Sequence, residues 1–123
     1  MTKIGSVEEL EVFKRAHQLT LTLYREAEKL PVDERFGLVA QIRRSAASIC
    51  ANLIEGSHRL SRKEFRQFVG IAKGSIGELK YHLLLARDLG YIRDQQYGAL
   101  RLEAEEISRM LNGLIRSLSD TSH

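Results

Sequence analysis

Four cations, Arg59, Arg62, Lys63 and Arg66, crowd into the stretch GSHRLSRKEFR that ends at Arg66. Guanidinium and ammonium groups gathered beside the free amide donors of a helix start are a chemistry suited to phosphate oxygens. Two further cations, Arg43 and Arg44, stand side by side upstream. Over residues 35–66 seven basic side chains face only Glu55 and Glu64, a local excess of +5, whereas the whole chain carries +3 and its remainder therefore −2. The candidate nucleic-acid-binding set is Arg43, Arg44, Arg59, Arg62, Lys63 and Arg66.

Other chemistries have thinner support. Cys50 is the single cysteine, so it can form no internal disulfide and reads as a small core residue. His17, His58, His82 and His123 read as packed or exposed histidines without a ligating partner, so no metal site and no cofactor are expected. The glycines at 70, 74 and 77 follow no strand and form no phosphate-binding loop, and Cys50 has no evident base. Catalysis is not expected. No RNA-recognition, KH, zinc-finger or helix-turn-helix signature is present, and aromatic residues make up only 7% of the chain, too few for a base-stacking platform. Binding through the basic set would be driven by backbone charge and shape.

The elements that must carry these residues are helical. The 123 residues have the size of one domain, 1–123, with one proline and a composition rich in helix formers. Between Val7 and Leu30, the residues Leu10, Phe13, Ala16, Leu23, Tyr24 and Ala27 predict one amphipathic helix, ended by Pro31. Asp33 is the expected N-cap of a second, running from about Glu34 to Ser57 with Val39, Ile42, Ala46, Ile49 and Leu53 inward and Gly56 at its end. Ser61 and Glu64 form a capping box for a third, whose stripe Phe65, Phe68, Ala72, Ile76, Leu79, Leu83, Ala86 stops at Gly90. A fourth starts near Asp94 and carries Tyr97, Leu100, Ala104, Ile107, Leu111, Leu114 and Leu118. The expected fold is all-α, an up-down-up-down antiparallel four-helix bundle with a frayed tail from Asp120 to His123. No run is apolar enough to cross a bilayer and no leader pattern opens the chain, so a cytoplasmic location is expected.

The face of the second helix away from its stripe is short of charge: Gln41, Arg44, Ser48, Asn52 and Glu55 line it, with Ala40, Ala47 and Ala51 alongside. Gly70, Gly74 and Gly77 fall on the corresponding side of the third helix, where each helix-interior glycine costs roughly 0.8–1.0 kcal/mol relative to alanine. Close approach of another subunit offsets such a cost, so a homo-oligomer is expected. Arg44, Asn52, Glu55, Ser75 and Glu78 read as hydrogen-bonding partners that fix register, between helices or between subunits.

The segments FGLVAQIRRSAASICANLIEG and EFRQFVGIAKGSIGELKYHLLLARDLGYI resemble the four-helix bundle proteins encoded in intervening sequences of 23S ribosomal RNA, and through them the accessory variability determinant of diversity-generating retroelements. The resemblance implies a bundle that assembles into a barrel-like homopentamer with a basic surface; for the retroelement relatives it also implies nucleic acid and a reverse transcriptase as partners. By position, the family's basic pair falls on Arg43 and Arg44, its Ser-x-x-Ala-Asn-x-x-Glu-Gly run on Ser48, Ala51, Asn52, Glu55 and Gly56, and its Gly-Ser-x-x-Glu-Leu run on Gly74, Ser75, Glu78 and Leu79. Cys50 stands where relatives commonly have proline. The function expected is a non-enzymatic oligomeric binder of nucleic acid, RNA first. The alternative is a scaffold or accessory factor for another polypeptide such as a reverse transcriptase.

Overall fold

Apolar residues at steps of three and four give each of four helices one buried stripe, and four such stripes close on one another in an antiparallel bundle. The structure is a computed structural model that describes residues 6–119; the tail from Asp120 lies outside them. The helices are α1 (Glu11–Ala27), α2 (Leu38–Ser57), α3 (Arg62–Asp88) and α4 (Asp94–Ser119). Single 3-10 turns, Val7–Glu9 and Val32–Glu34, precede α1 and α2. Each helix packs on two neighbours in the cyclic order α1, α2, α3, α4, and the α2–α3 seam is the most extensive. Side chains from all four helices, among them Leu23, Ile49, Leu53, Ile76, Leu79, Leu83, Ile107 and Leu111, fill the centre.

The helix ends show how local chemistry sets the boundaries. Ser61 has an extended backbone and its Oγ accepts the Glu64 N–H at 3.1 Å, which starts α3 where expected. At the other end of α3, Gly90 takes the left-handed region with φ 82°, the Tyr91 N–H reaches the Ala86 carbonyl at 2.9 Å, and the Gly90 N–H reaches that of Arg87 at 2.9 Å. This is a Schellman stop.

Three expectations need correction. Helix α1 does not begin at Val7: the chain breaks at Leu10, which is extended, and its buried stripe is Val12, Ala16, Leu19, Leu23 and Ala27, with Tyr24 exposed. Asp33 does not cap α2, which begins at Leu38; the Glu34 carboxylate instead accepts the Leu38 N–H at 3.1 Å. Glu34 also accepts the Tyr91 hydroxyl at 2.9 Å and so joins the two connections at that end of the bundle. Gly56 is a buried residue within α2, where an added Cβ would lie 2.6 Å from Phe68 Cβ and 2.9 Å from Phe65 Cδ1. Its role is to let α3 approach.

Candidate nucleic-acid and subunit interfaces

Across the α2–α3 seam a polar ladder runs on the outer side of the core. Arg44 is held by Gln41 Oε1, at 3.1 Å from Nε and 2.8 Å from Nη2, and reaches over to Glu78. One turn further on, Ser48 donates to Ser75 Oγ, which in turn donates to the Ile71 carbonyl at 3.2 Å. Asn52 Nδ2 donates to the Ser48 carbonyl at 2.8 Å, and Glu55 pairs with Arg59 at 2.9 Å. The Arg44 guanidinium, and to a smaller extent His82, hold the Glu78 carboxyl below its ordinary range against an opposing desolvation. Two of these contacts, Arg44–Glu78 and Ser48–Ser75, join α2 to α3 within one chain, while those of Asn52 and Glu55 are local to α2 and its end.

The histidine expectation is corrected by the same seam: His82 Nε2 lies 3.4 Å from Glu78 Oε2, one helical turn earlier. Glu55 and His58 also have helical spacing, but both are exposed at the end of α2, and Glu55 is engaged by Arg59. Among the described residues no group of three or more histidine, cysteine or carboxylate side chains could hold a metal ion.

Beyond the ladder lies the outer face of α3, where Gly70 and Gly77 sit one turn from Arg66, Lys73 and Lys80. Gly70, Gly74 and Gly77 are exposed, and a Cβ on any of them would meet nothing within 4 Å. Nothing among the described residues therefore calls for glycine at these positions. Ala40, Ala51, Ile71 and Tyr81 are exposed around them.

The six basic candidates divide into two groups. Arg43 folds onto α1, with its guanidinium 5.0 Å from the centre of the Tyr24 ring and Nη2 donating to the Tyr24 carbonyl at 2.9 Å. Arg44 belongs to the ladder. Past the end of α2, about 20 Å along that helix from Arg44, lies the second group. There Arg59 covers Phe68, with 4.8 Å to the ring centre, and Arg62 donates to the Ser117 carbonyl at 2.6 Å. Lys63 and Arg66 have no ion pair among the described residues. Of the six candidates, the cations left without an ion pair among the described residues are those at the start of α3.

Sequence reasoning missed a second set of cations. Lys73, Lys80 and Arg87 continue from Arg66 at seven-residue steps, a spacing that keeps them on one edge of α3. That periodicity was the available signal. The edge faces α4, since Lys80 lies 3.8 Å from Glu105 and Arg87 stands 4.6 Å over the Tyr97 ring.

An apolar hollow of about 420 Å³ lies at the end of the bundle among Val7, Leu10, Ile54, Phe65 and Leu114. Ser57 and His58 border it, but the Ser57 hydroxyl donates to the Ile54 carbonyl at 2.8 Å rather than to a base. Cys50 is half-buried against Phe13, and desolvation pushes its thiol up to about 11, so it is a poor nucleophile.

The fold is an antiparallel four-helix bundle, and no helix among its described residues is long and apolar enough to cross a membrane. The chain belongs to the 23S rRNA-intervening sequence protein family, whose model matches residues 8–113. It is similar to the crystal structure of a protein of unknown function from the S23 ribosomal protein family of Bacteroides thetaiotaomicron, with a TM-score of 0.79 and 27% identity over 85% of this chain and 95% of that one. No curated protein matches it. Neither description names an enzymatic activity.

Proposed function

We propose that the protein is a cytoplasmic, non-enzymatic homo-oligomer that binds nucleic acid, RNA in the first place, through its basic surface. The observation that carries this reading is the charge of Lys63 and Arg66 at the start of α3, beside Arg59 and Arg62, for which there is no ion pair among the described residues. The glycine face, open in the single chain, is the subunit contact. The family resemblance supports a stoichiometry of five, and five copies at +3 each would carry +15, a charge that attracts a polyanion at moderate salt.

Light scattering at low and high salt, with and without RNA, tests both parts. The expected result is an assembly of several chains that gains mass with RNA only at low salt. A monomer would remove the subunit contact, and an RNA shift that survives charge reversal at Arg59, Arg62 and Lys63 would remove the assigned surface.

A second reading, a scaffold for another polypeptide such as a reverse transcriptase, has its own support. Val32 and Phe36, 72% and 88% exposed, project from the α1–α2 connection at the end of the bundle away from the Arg59–Arg66 cluster. Pull-down of a reverse transcriptase that is lost in Phe36→Ser but kept in the charge-reversed variants would favour the scaffold.

A further inference from the structure

Resting on the nucleic-acid reading, we infer that the phosphate backbone is held along the α3–α4 edge of the bundle, on a track that starts at the Lys63–Arg66 cluster and runs to Arg87. Arg66, Lys73, Lys80 and Arg87 follow one another at intervals of seven residues, which turn by only about 20° per step on a helix. The line they make is therefore nearly straight, and its 21-residue span is about 31 Å. Lys80 against Glu105, Arg87 over Tyr97, and Arg62 on the Ser117 carbonyl show that this edge looks onto α4 in antiparallel register.

What α4 offers in return leaves the track positive. Below Glu105 the α4 positions on that side are Ser108, Asn112 and Arg116, and from Ser108 to Ser119 there is no carboxylate at all. Lys63, Arg66, Lys73 and Arg116 accordingly have no ion pair among the described residues. Higher up, Glu105 is shared between Lys80 at 3.8 Å and Arg101 at 2.9 Å, one carboxylate for two cations. Arg87 has Asp88 at 3.0 Å. Seven cations (Lys63, Arg66, Lys73, Lys80, Arg87, Arg101, Arg116) share this edge with three carboxylates (Asp88, Glu105 and, seven residues before Arg101, Asp94), a net +4 on one edge of a chain whose total is +3. At the upper end, Lys80, Arg87 and Arg101 surround a hollow of about 290 Å³ together with Tyr81, Leu84 and Tyr97. A linear array of cations with an aromatic face at one end is the arrangement a nucleic-acid strand fits, because phosphates follow the charge and a base can stack.

Electrostatic binding has a measurable count: log affinity falls with log salt at about 0.7 per neutralised phosphate on a single strand and about 0.9 on a duplex. The test compares full-length wild type with Arg66→Gln/Lys73→Gln, titrated against oligouridine and an RNA duplex by fluorescence anisotropy. A control of equal charge change, Lys14→Gln/Arg25→Gln, alters exposed α1 positions off the track. Helicity and solution mass are checked for each. The expected result is a slope lower by about 1.4 for the track variant on oligouridine, so that wild type loses about sevenfold more affinity than the variant between about 50 and 200 mM salt. The control keeps the wild-type slope. Track and control variants with the same slope would overturn the track and leave nucleic-acid binding standing. Wild type that binds neither probe at low salt would overturn the functional reading, and the track with it.

Discussion

Replacing Gly70, Gly74 and Gly77 together by alanine separates a free surface from a subunit contact. In the single chain the added methyls meet nothing within 4 Å, so only helix propensity counts. Each substitution then gains about 0.8–1.0 kcal/mol, or about 2.4–3.0 for three. With an unfolding entropy of about 2.1 cal/mol/K per residue, the 123 residues give about 0.26 kcal/mol/K. A free face therefore predicts a Tm higher by about 9–12 °C, independent of protein concentration. Under the proposed assembly the same methyls enter a close helix contact and act as overpacking, which typically costs about 1–3 kcal/mol per site. The expected outcome is thus a lower assembly mass by light scattering and a Tm gain that is absent or appears only once the subunits have separated. Gly98→Ala on α4, also with nothing within 4 Å, is the internal standard for propensity alone. A triple variant with the full gain and unchanged mass would refute the contact.

Other perturbations test the structure from different sides. Gly56→Ala sets a Cβ 2.6 Å from Phe68 Cβ, an atom no side-chain rotation can move away; overpacking of about 1–3 kcal/mol then outweighs a propensity gain of about 1, and thermal unfolding should shift downward. Because the Glu78 carboxyl is held below its ordinary value of 4.5, its contribution is present above that pH and lost as pH falls through the lower folded value. Glu78→Gln should therefore be less stable than wild type near neutrality and converge with it in acid, as read from Tm against pH. With its thiol pushed up to about 11, Cys50 should react slowly with alkylating reagents in the folded protein; relative to a free thiol of pKa about 8.5 it holds roughly 300-fold less thiolate at pH about 7.5. A reaction rate equal to that of the denatured chain would contradict its burial.

Much of this architecture is legible in the sequence because periodicity reports burial directly. Val39, Ile42, Ala46, Ile49 and Leu53 on α2 and the stripe of α4 as far as Leu111 are buried as their spacing predicts. The first helix was harder, since Phe13 and Tyr24 suggest an arc that tertiary packing rotates in favour of Val12 and Leu19. Tyr24 keeps its ring outside because Arg43 stacks on it, a partner from another helix that no local pattern announces. The start of α2 is hidden for a similar reason: after Pro31 the chain uses a 3-10 turn to reverse, and Glu34 rather than Asp33 supplies the acceptor. The polar residues of the seam were recognisable as partners, but which of them meet depends on the α2–α3 register.

The basic edge is invisible to a charge sum along the chain, because helices sort charge by angle. Residues 67–119 include Lys73, Lys80, Arg87, Arg101 and Arg116, yet also Glu78, Glu103 and Glu106, and a linear window cancels them. In the fold Glu78 turns to Arg44 on the α2 side, Glu103 is bound by Arg15 of α1 at 2.6 Å, and Glu106 by Arg109 at 2.5 Å. These three acids turn away from the edge, and the cations stay. Seven-residue neighbours on a helix are about 10.5 Å apart, close to the Debye length of about 10 Å at 0.1 M salt. Mutual repulsion along the edge is therefore weak near physiological ionic strength and grows on dilution, which is also when a polyanion gains most from meeting it. Salt should accordingly stabilise the unliganded protein while weakening its complex with nucleic acid. Thermal unfolding over a salt series with and without RNA would show the two trends crossing; a protein whose unliganded Tm falls with salt would contradict an unneutralised edge.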